Sequence, residues 1–66
     1  QESFKQYFTR LKIDYIIEKL KNDKKYRKYS IQGLAQEVGY TNASAFSRAF
    51  KKQTGITPSA FLKTLD

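Results

Sequence analysis

The sequence predicts an all-α fold, and three observations carry that prediction. Glycine and proline are confined to Gly33, Gly39, Gly55 and Pro58, so the 66-residue chain is punctuated at few places. Between those places apolar side chains recur at the three- and four-residue spacing of helical faces. Good capping residues stand at the junctions. The expected architecture is a small helical domain with a long N-terminal linker helix, a helix-turn-helix and a short C-terminal helix, without strands or internal repeats.

The first helix is expected over "SFKQYFTRLKIDYIIEKLK", residues 3–21, with Ser3 as its cap and no breaker inside. At about 100° per residue, Phe4, Tyr7, Phe8, Leu11 and Tyr15 share one face, whereas Ile13, Ile16, Ile17 and Leu20 share roughly the opposite one. A helix with one apolar face early and another late most simply joins two lobes. Only the later face has obvious partners in this chain, so the early stripe is expected to pack on a lobe absent here. The plainer alternative is a central helix wrapped by its own short domain. Residues 22–29, "NDKKYRKY", then break the pattern with Lys24, Lys25, Arg27 and Lys28 against Asp23, which reads as an exposed basic loop, either a solvated connector or a phosphate-contacting segment.

Ser30 caps a second helix in which Ile31, Leu34, Ala35 and Val38 keep the i, i+3, i+4, i+7 spacing. Gly39 is suited to end it in the left-handed conformation. Thr41 or Asn42 caps a third helix that runs to about Thr54 and is closed by Gly55. In "TPSAFLKTL", Thr57 as cap and Pro58 at the first helical position open a fourth. The chain therefore divides into residues 1–29, helix and basic loop, and residues 30–66, a lobe of three short helices.

Composition narrows the function. Thirteen Lys+Arg against six Asp+Glu give a formal charge of +7, so an anionic partner is expected. Without cysteine or histidine the chain lacks thiolate metal ligands and the commonest general base. Its carboxylates, Glu2, Asp14, Glu18, Asp23, Glu37 and Asp66, are scattered and paired with no nucleophile. An enzyme is the weakest reading, and no cofactor or metal is expected. No apolar run approaches the roughly 20 residues of a membrane span, and "QESFKQYF" has no signal-peptide character. A cytoplasmic protein without membrane contact is expected, and the missing initial methionine suggests a fragment of a longer chain.

Topology selects among anionic partners. Two short helices joined by "GYTN" make a helix-turn-helix candidate whose second helix would enter a DNA major groove. The small Ala35 permits a close crossing, and Gly39 supplies a positive φ. On the second helix Phe46, Ala49, Phe50 and Gln53 fall to one side, and Ser44, Ser47, Arg48 and Lys51 to the other. Phe46, Phe50 and Phe61 have the spacing of core residues rather than of base-stacking platforms, and Tyr26 and Tyr29 are a weaker case for backbone contact.

The stretch "IQGLAQEVGYTNASAFSRAFKKQTGITPSAFLK" resembles the second helix-turn-helix of the AraC/XylS-type bacterial transcription regulators. Ile31, Leu34, Ala35, Val38, Gly39, Tyr40, Phe46, Ser47, Arg48, Phe50, Lys51, Gly55, Thr57, Pro58 and Phe61 stand in the register of that family's pattern. Upstream, "SFKQYFTRLKIDYIIEKL" is similar to the helix that connects the family's two DNA-binding lobes. The chain departs from the pattern at Gly33, where an acidic residue is usual, at Lys12, where an arginine is usual, and in its longer, more basic 22–29 loop.

The resemblance implies sequence-specific binding of double-stranded DNA, with base-reading positions at Ala43, Ser44, Ala45, Ser47 and Arg48. Arg48 can bond guanine O6 and N7 together, a contact worth about 1–3 kcal/mol of discrimination; the serines discriminate weakly, and the alanines offer methyl contacts to thymine. Thr41, Asn42, Lys51 and Lys52 suit phosphates, as do the backbone N–H groups near Ser30 and Ile31. Other expected partners are an N-terminal helix-turn-helix lobe, a sensory region and RNA polymerase. The competing reading is a protein-interaction module that uses the aromatic stripe and the basic loop.

Overall fold

The computed structural model describes residues 3–65, which leaves Glu2 and Asp66, two of the six carboxylates, outside the described residues. Four α-helices follow in order: α1 (Phe4–Asn22), α2 (Ile31–Glu37), α3 (Ala43–Thr54) and α4 (Pro58–Leu65), with a 3-10 turn at Lys24–Lys28 between α1 and α2. No strand occurs among the described residues.

Each helix starts where a short polar side chain meets the orphan N–H groups of its first turn. Ser3 Oγ accepts from the Gln6 N–H at 3.1 Å while Gln6 Oε1 accepts from the Ser3 N–H at 2.9 Å, a reciprocal capping box. Ser30 Oγ accepts from Gly33 N–H at 3.0 Å, Asn42 Oδ1 from Ala45 N–H at 2.8 Å, and Thr57 Oγ1 from Ala60 N–H at 3.2 Å. Of the two cap candidates for α3, Asn42 is the one used. Proline at the first position of α4 forfeits no helical hydrogen bond, and its ring is buried.

The core gathers Ile13, Ile16 and Leu20 of α1, Leu34 and Ala35 of α2, and Phe46 and Phe50 of α3, all fully buried. Fully burying an Ile, Leu or Phe side chain contributes about 1.5–3 kcal/mol. A surface pair such as Arg10–Asp14, 4.0 Å apart and half exposed, contributes about 0–1 kcal/mol. Burial between the helices therefore dominates, and an aromatic seam extends it: Tyr40 to Phe46 at 5.8 Å, Phe46 to Phe50 at 5.9 Å and Phe50 to Phe61 at 5.5 Å between ring centroids. Gln53 fastens the same interface by donating to Asp14 Oδ1 at 2.6 Å. The three phenylalanines thus serve the core, as their spacing predicts.

The early stripe of α1 is left uncovered by the described residues. Phe4 is 77% exposed, and Tyr7, Phe8, Leu11 and Tyr15 are also exposed. Phe4 and Phe8 meet edge to face at 4.9 Å, one turn apart on the bare face.

The segment expected to be an exposed basic loop is instead largely structural. Asp23 caps the 3-10 turn by accepting from Lys25 N–H at 3.0 Å. Arg27 folds back over the end of α1: its guanidinium donates to Leu20 O at 2.7 Å, Lys21 O at 3.1 Å and Leu65 O at 3.3 Å. A cation on the unpaired carbonyls of a helix C-terminus satisfies them and meets the negative end of the helix dipole. Arg27 is thereby a clasp between α1 and α4. Tyr26 and Tyr29 stack at 4.9 Å with their planes 17° apart, and the Tyr26 hydroxyl donates to Glu37 Oε1 at 3.1 Å. Lys24, Lys25 and Lys28 remain exposed.

Partial burial, the hydrogen bond to Glu37 and the charge of that carboxylate push the Tyr26 phenol up to about 12. A phenol pKa raised on folding means that the neutral form is the one stabilised, so this contribution is complete below pH 10 and is lost as the pH rises towards 12. Absorbance titration of the tyrosines should show a late phenolate component with a midpoint near 12, and Tyr26→Phe should remove that component. Its persistence in the variant would assign the late titration to another tyrosine.

Candidate nucleic-acid interface

Helix α2 ends in a Schellman turn. The Gly39 N–H donates to Gln36 O at 3.0 Å and the Tyr40 N–H to Ala35 O at 2.9 Å, with Gly39 at φ 85°. That positive φ reverses the chain within a few residues and delivers it to the Asn42 cap. Because Ala35 is small and fully buried, nothing bulky separates α2 from α3 at their crossing. Lys12 of α1 holds its ammonium 5.3 Å from the centre of the Tyr40 ring, so α1 also braces the turn.

The helix that follows is two-sided. Phe46 and Phe50 are buried and Gln53 is half-buried, whereas Ser44, Ala45, Arg48, Lys51 and Lys52 are exposed. At about 100° per residue Arg48 stands near the middle of the exposed arc, with Lys51 and Lys52 on either side of it. Of the expected base-reading residues, the structure brings Ser44, Ala45 and Arg48 together on this outer arc. Ala43 and Ser47 are half-buried, on the shoulder of the packed face. Ser47 thus shares the side of Phe50 more than that of Arg48, contrary to the simple two-face division.

The expected phosphate contacts fall into two groups. Lys51 and Lys52 flank the outer arc. Thr41 and Asn42 are exposed at the start of α3, where the Asn42 side-chain oxygen is already engaged by Ala45 N–H. Ser30 and Ile31 open α2, with the Ser30 hydroxyl accepting from Gly33 N–H.

A further basic feature arises only from the crossing of two helices. Between the first turns of α1 and the last turns of α3 lies an open groove of about 370 Å³, lined by Lys5, Gln6, Thr9 and Arg10 on one wall and Ala49, Lys52 and Gln53 on the other. The i, i+4 run of Lys5, Thr9 and Ile13 was the available signal. It places polar residues on the same side of α1 that is apolar further on.

An exposed arc of small and basic side chains on the second helix is the surface that helix-turn-helix motifs of DNA-binding proteins present to a groove. Residues 1–64 match the family described as "Helix-turn-helix domain". The chain is 39% identical over 61 residues to the uncharacterized transcriptional regulatory protein YesN of Bacillus subtilis. It is 38% identical over 56 residues to the MmsAB operon regulatory protein of Pseudomonas aeruginosa. These alignments cover 91% and 85% of this chain but 16% and 17% of the relatives, so the chain spans about a sixth of their length. No solved structure gives a significant match. The chain belongs to the AraC-type helix-turn-helix family, a family of DNA-binding transcription regulators rather than of enzymes. No helix among the described residues is long and apolar enough to cross a membrane.

The turn can be tested apart from DNA. Apart from Gly39 and its chain neighbours, none of the described residues has an atom within 4 Å of a Cβ added there, so Gly39→Ala carries only the backbone cost of a left-handed residue, about 1–2 kcal/mol. Urea unfolding should show that loss, and a smaller one for Gly39→Asn, since asparagine enters this region more readily. Equal stability of Gly39→Ala and the parent would mean that the turn does not require the conformation.

Proposed function

We propose that the chain binds specific double-stranded DNA by inserting α3 into the major groove, with its N-terminal half and the Arg48 arc towards the base edges. The carrying observation is the contrast on α3: its inner side is pinned by Phe46 and Phe50, while its outer arc has short side chains at Ser44 and Ala45 and, between Lys51 and Lys52, the forked donor Arg48. Short residues let the backbone come close to base edges, and the guanidinium then reaches guanine O6 and N7. Ser44 offers a weak donor or acceptor, and Ala45 a methyl contact for thymine. Ala43 and Ser47, being half-buried, read less in this arrangement and serve mainly to permit the approach.

Lys51, Lys52, Thr41 and Asn42, with the first N–H groups of α2 beside Ser30 and Ile31, hold phosphates and set register without reading sequence. The bare stripe Phe4, Tyr7, Phe8, Leu11 and Tyr15 is the face on which a preceding helix-turn-helix lobe packs, making residues 1–29 a link and residues 30–66 the second of two readers. Sensory and RNA polymerase contacts belong to the remainder of such a regulator. A protein-interaction role for the stripe is compatible with this division. The basic 3-10 turn is the weaker half of that alternative, since Arg27 is committed to carbonyls and Tyr26 to Glu37.

Arg48→Ala should lose preference at one base position, by about 1–3 kcal/mol, in competition between cognate and singly substituted duplexes. Lys51→Ala should weaken cognate and random duplexes alike and flatten the slope of log K against log salt by about 0.9. Equal losses on all sequences from Arg48→Ala would make Arg48 a phosphate contact instead.

A further inference from the structure

The groove between α1 and α3 is basic where the packing of α1 would favour an apolar surface. Along one row of α1, Ile13 is fully buried, Thr9 half-buried and Lys5 exposed, so the inward side of the helix changes from apolar to polar as it leaves the core. On the facing wall, Ala49 is followed by Lys52. Lys5 and Lys52 form no ion pair among the described residues, whereas Arg10 is held beside Asp14 at 4.0 Å and over the Tyr7 ring at 5.4 Å. Lys5 and Lys52 therefore face one open cleft from opposite walls, with Arg10, held by Asp14, at its edge and no carboxylate among the lining residues.

The cleft is continuous with the reading arc, because Lys52 lies one turn from Arg48 on α3 and borders both. Lys51 and Lys52, about 100° apart around the helix axis, lean to opposite sides of Arg48. A helix seated in a major groove about 12 Å wide has a phosphate backbone on each flank. Lys51 meets one flank. The other flank is the α1 side, where Lys52 stands with Lys5 and Arg10.

We propose that Lys5 and Arg10 of α1 join Lys52 in a phosphate-binding cleft that holds the DNA strand on the α1 side of the groove, so that α1 itself lies along the duplex. This inference rests on the reading that α3 enters the major groove. It adds a role for α1 beyond connecting two lobes. The occupant is duplex backbone rather than an acidic protein segment, because the cleft continues the arc of α3 and its cations stand beside the flank that a seated duplex would present.

The test measures salt-dependent binding of the chain to cognate and random duplexes, alongside binding of a polyglutamate probe. Lys5→Gln and Lys52→Gln should each make the log K against log salt slope shallower by about 0.9 and together by about 1.8, without changing sequence preference. Lys24→Gln, about 28 Å along the α1 direction from Lys5, should leave the slope unchanged. Circular dichroism of each variant establishes that α1 is intact. An unchanged slope for Lys5→Gln beside a reduced one for Lys52→Gln overturns the cleft while leaving α3 in its groove. Loss of polyglutamate binding with duplex binding intact overturns it in favour of an acidic protein segment. Failure of the parent chain to bind any duplex at low salt overturns both the cleft and the reading on which it rests.

Discussion

The seating of Phe46 and Phe50 against Ile13, Ile16 and Leu20 is the constraint on which the rest of the structure depends. Two rings one turn apart fix both the position of α3 along α1 and its rotation, because either a slide or a turn about the axis would expose them. With the rotation fixed, the outer arc follows without further adjustment: Ser44, Ala45 and Arg48 face away from α1, and Lys51 and Lys52 fall to either side. Tyr40 and Phe61 extend the seam at both ends, so α2 and α4 are located by the same aromatic contacts. The proposed reading surface is thus largely a consequence of what is buried behind it.

A 66-residue chain buries a smaller share of its surface than a larger domain, about 60%, so caps at its helix ends weigh more in its stability. Ser3, Asp23, Ser30, Asn42 and Thr57 each engage a backbone N–H, and Arg27 covers the carbonyls where α1 stops. An N-terminal cap contributes about 1 kcal/mol. Several of them therefore match the contribution of a core side chain or two. In a protein with few core residues this is a large share, and it also supplies rigidity at the two junctions, Gly39–Asn42 and Asp23–Ser30, that set the direction of α2 and α3.

The helices and most of their caps were legible in the sequence because their signals are local: a capping residue, an apolar row and a glycine or proline lie within a few positions of one another. The HTH register was legible for the same reason, with Gly39 and Gly55 both taking positive φ where the sequence places helix ends. The 22–29 segment was not, because its order depends on Arg27 reaching Leu65 O, a partner 38 positions away, and on Tyr26 meeting Glu37. Lys5 and Lys52 are likewise far apart in sequence and meet across a cleft that only the crossing of α1 and α3 creates. Ser47 falls on the outer side of a helical wheel because a wheel divides a helix into halves, whereas packing against α3 reaches further around it.

In the proposed mode of binding, the buried seam orients α3, the Schellman turn delivers it, and short side chains at its start allow approach to base edges. All of this turns on whether α3 occupies the major groove. Methylation of guanine N7, an atom found only on the major-groove edge, tests this most directly. In an interference experiment on a duplex selected from a random pool, methylation of one or more guanines within the site should abolish binding, and Arg48→Ala should remove the sensitivity at one of them. Binding indifferent to N7 methylation throughout the site, but sensitive to minor-groove adenine methylation, would contradict the account.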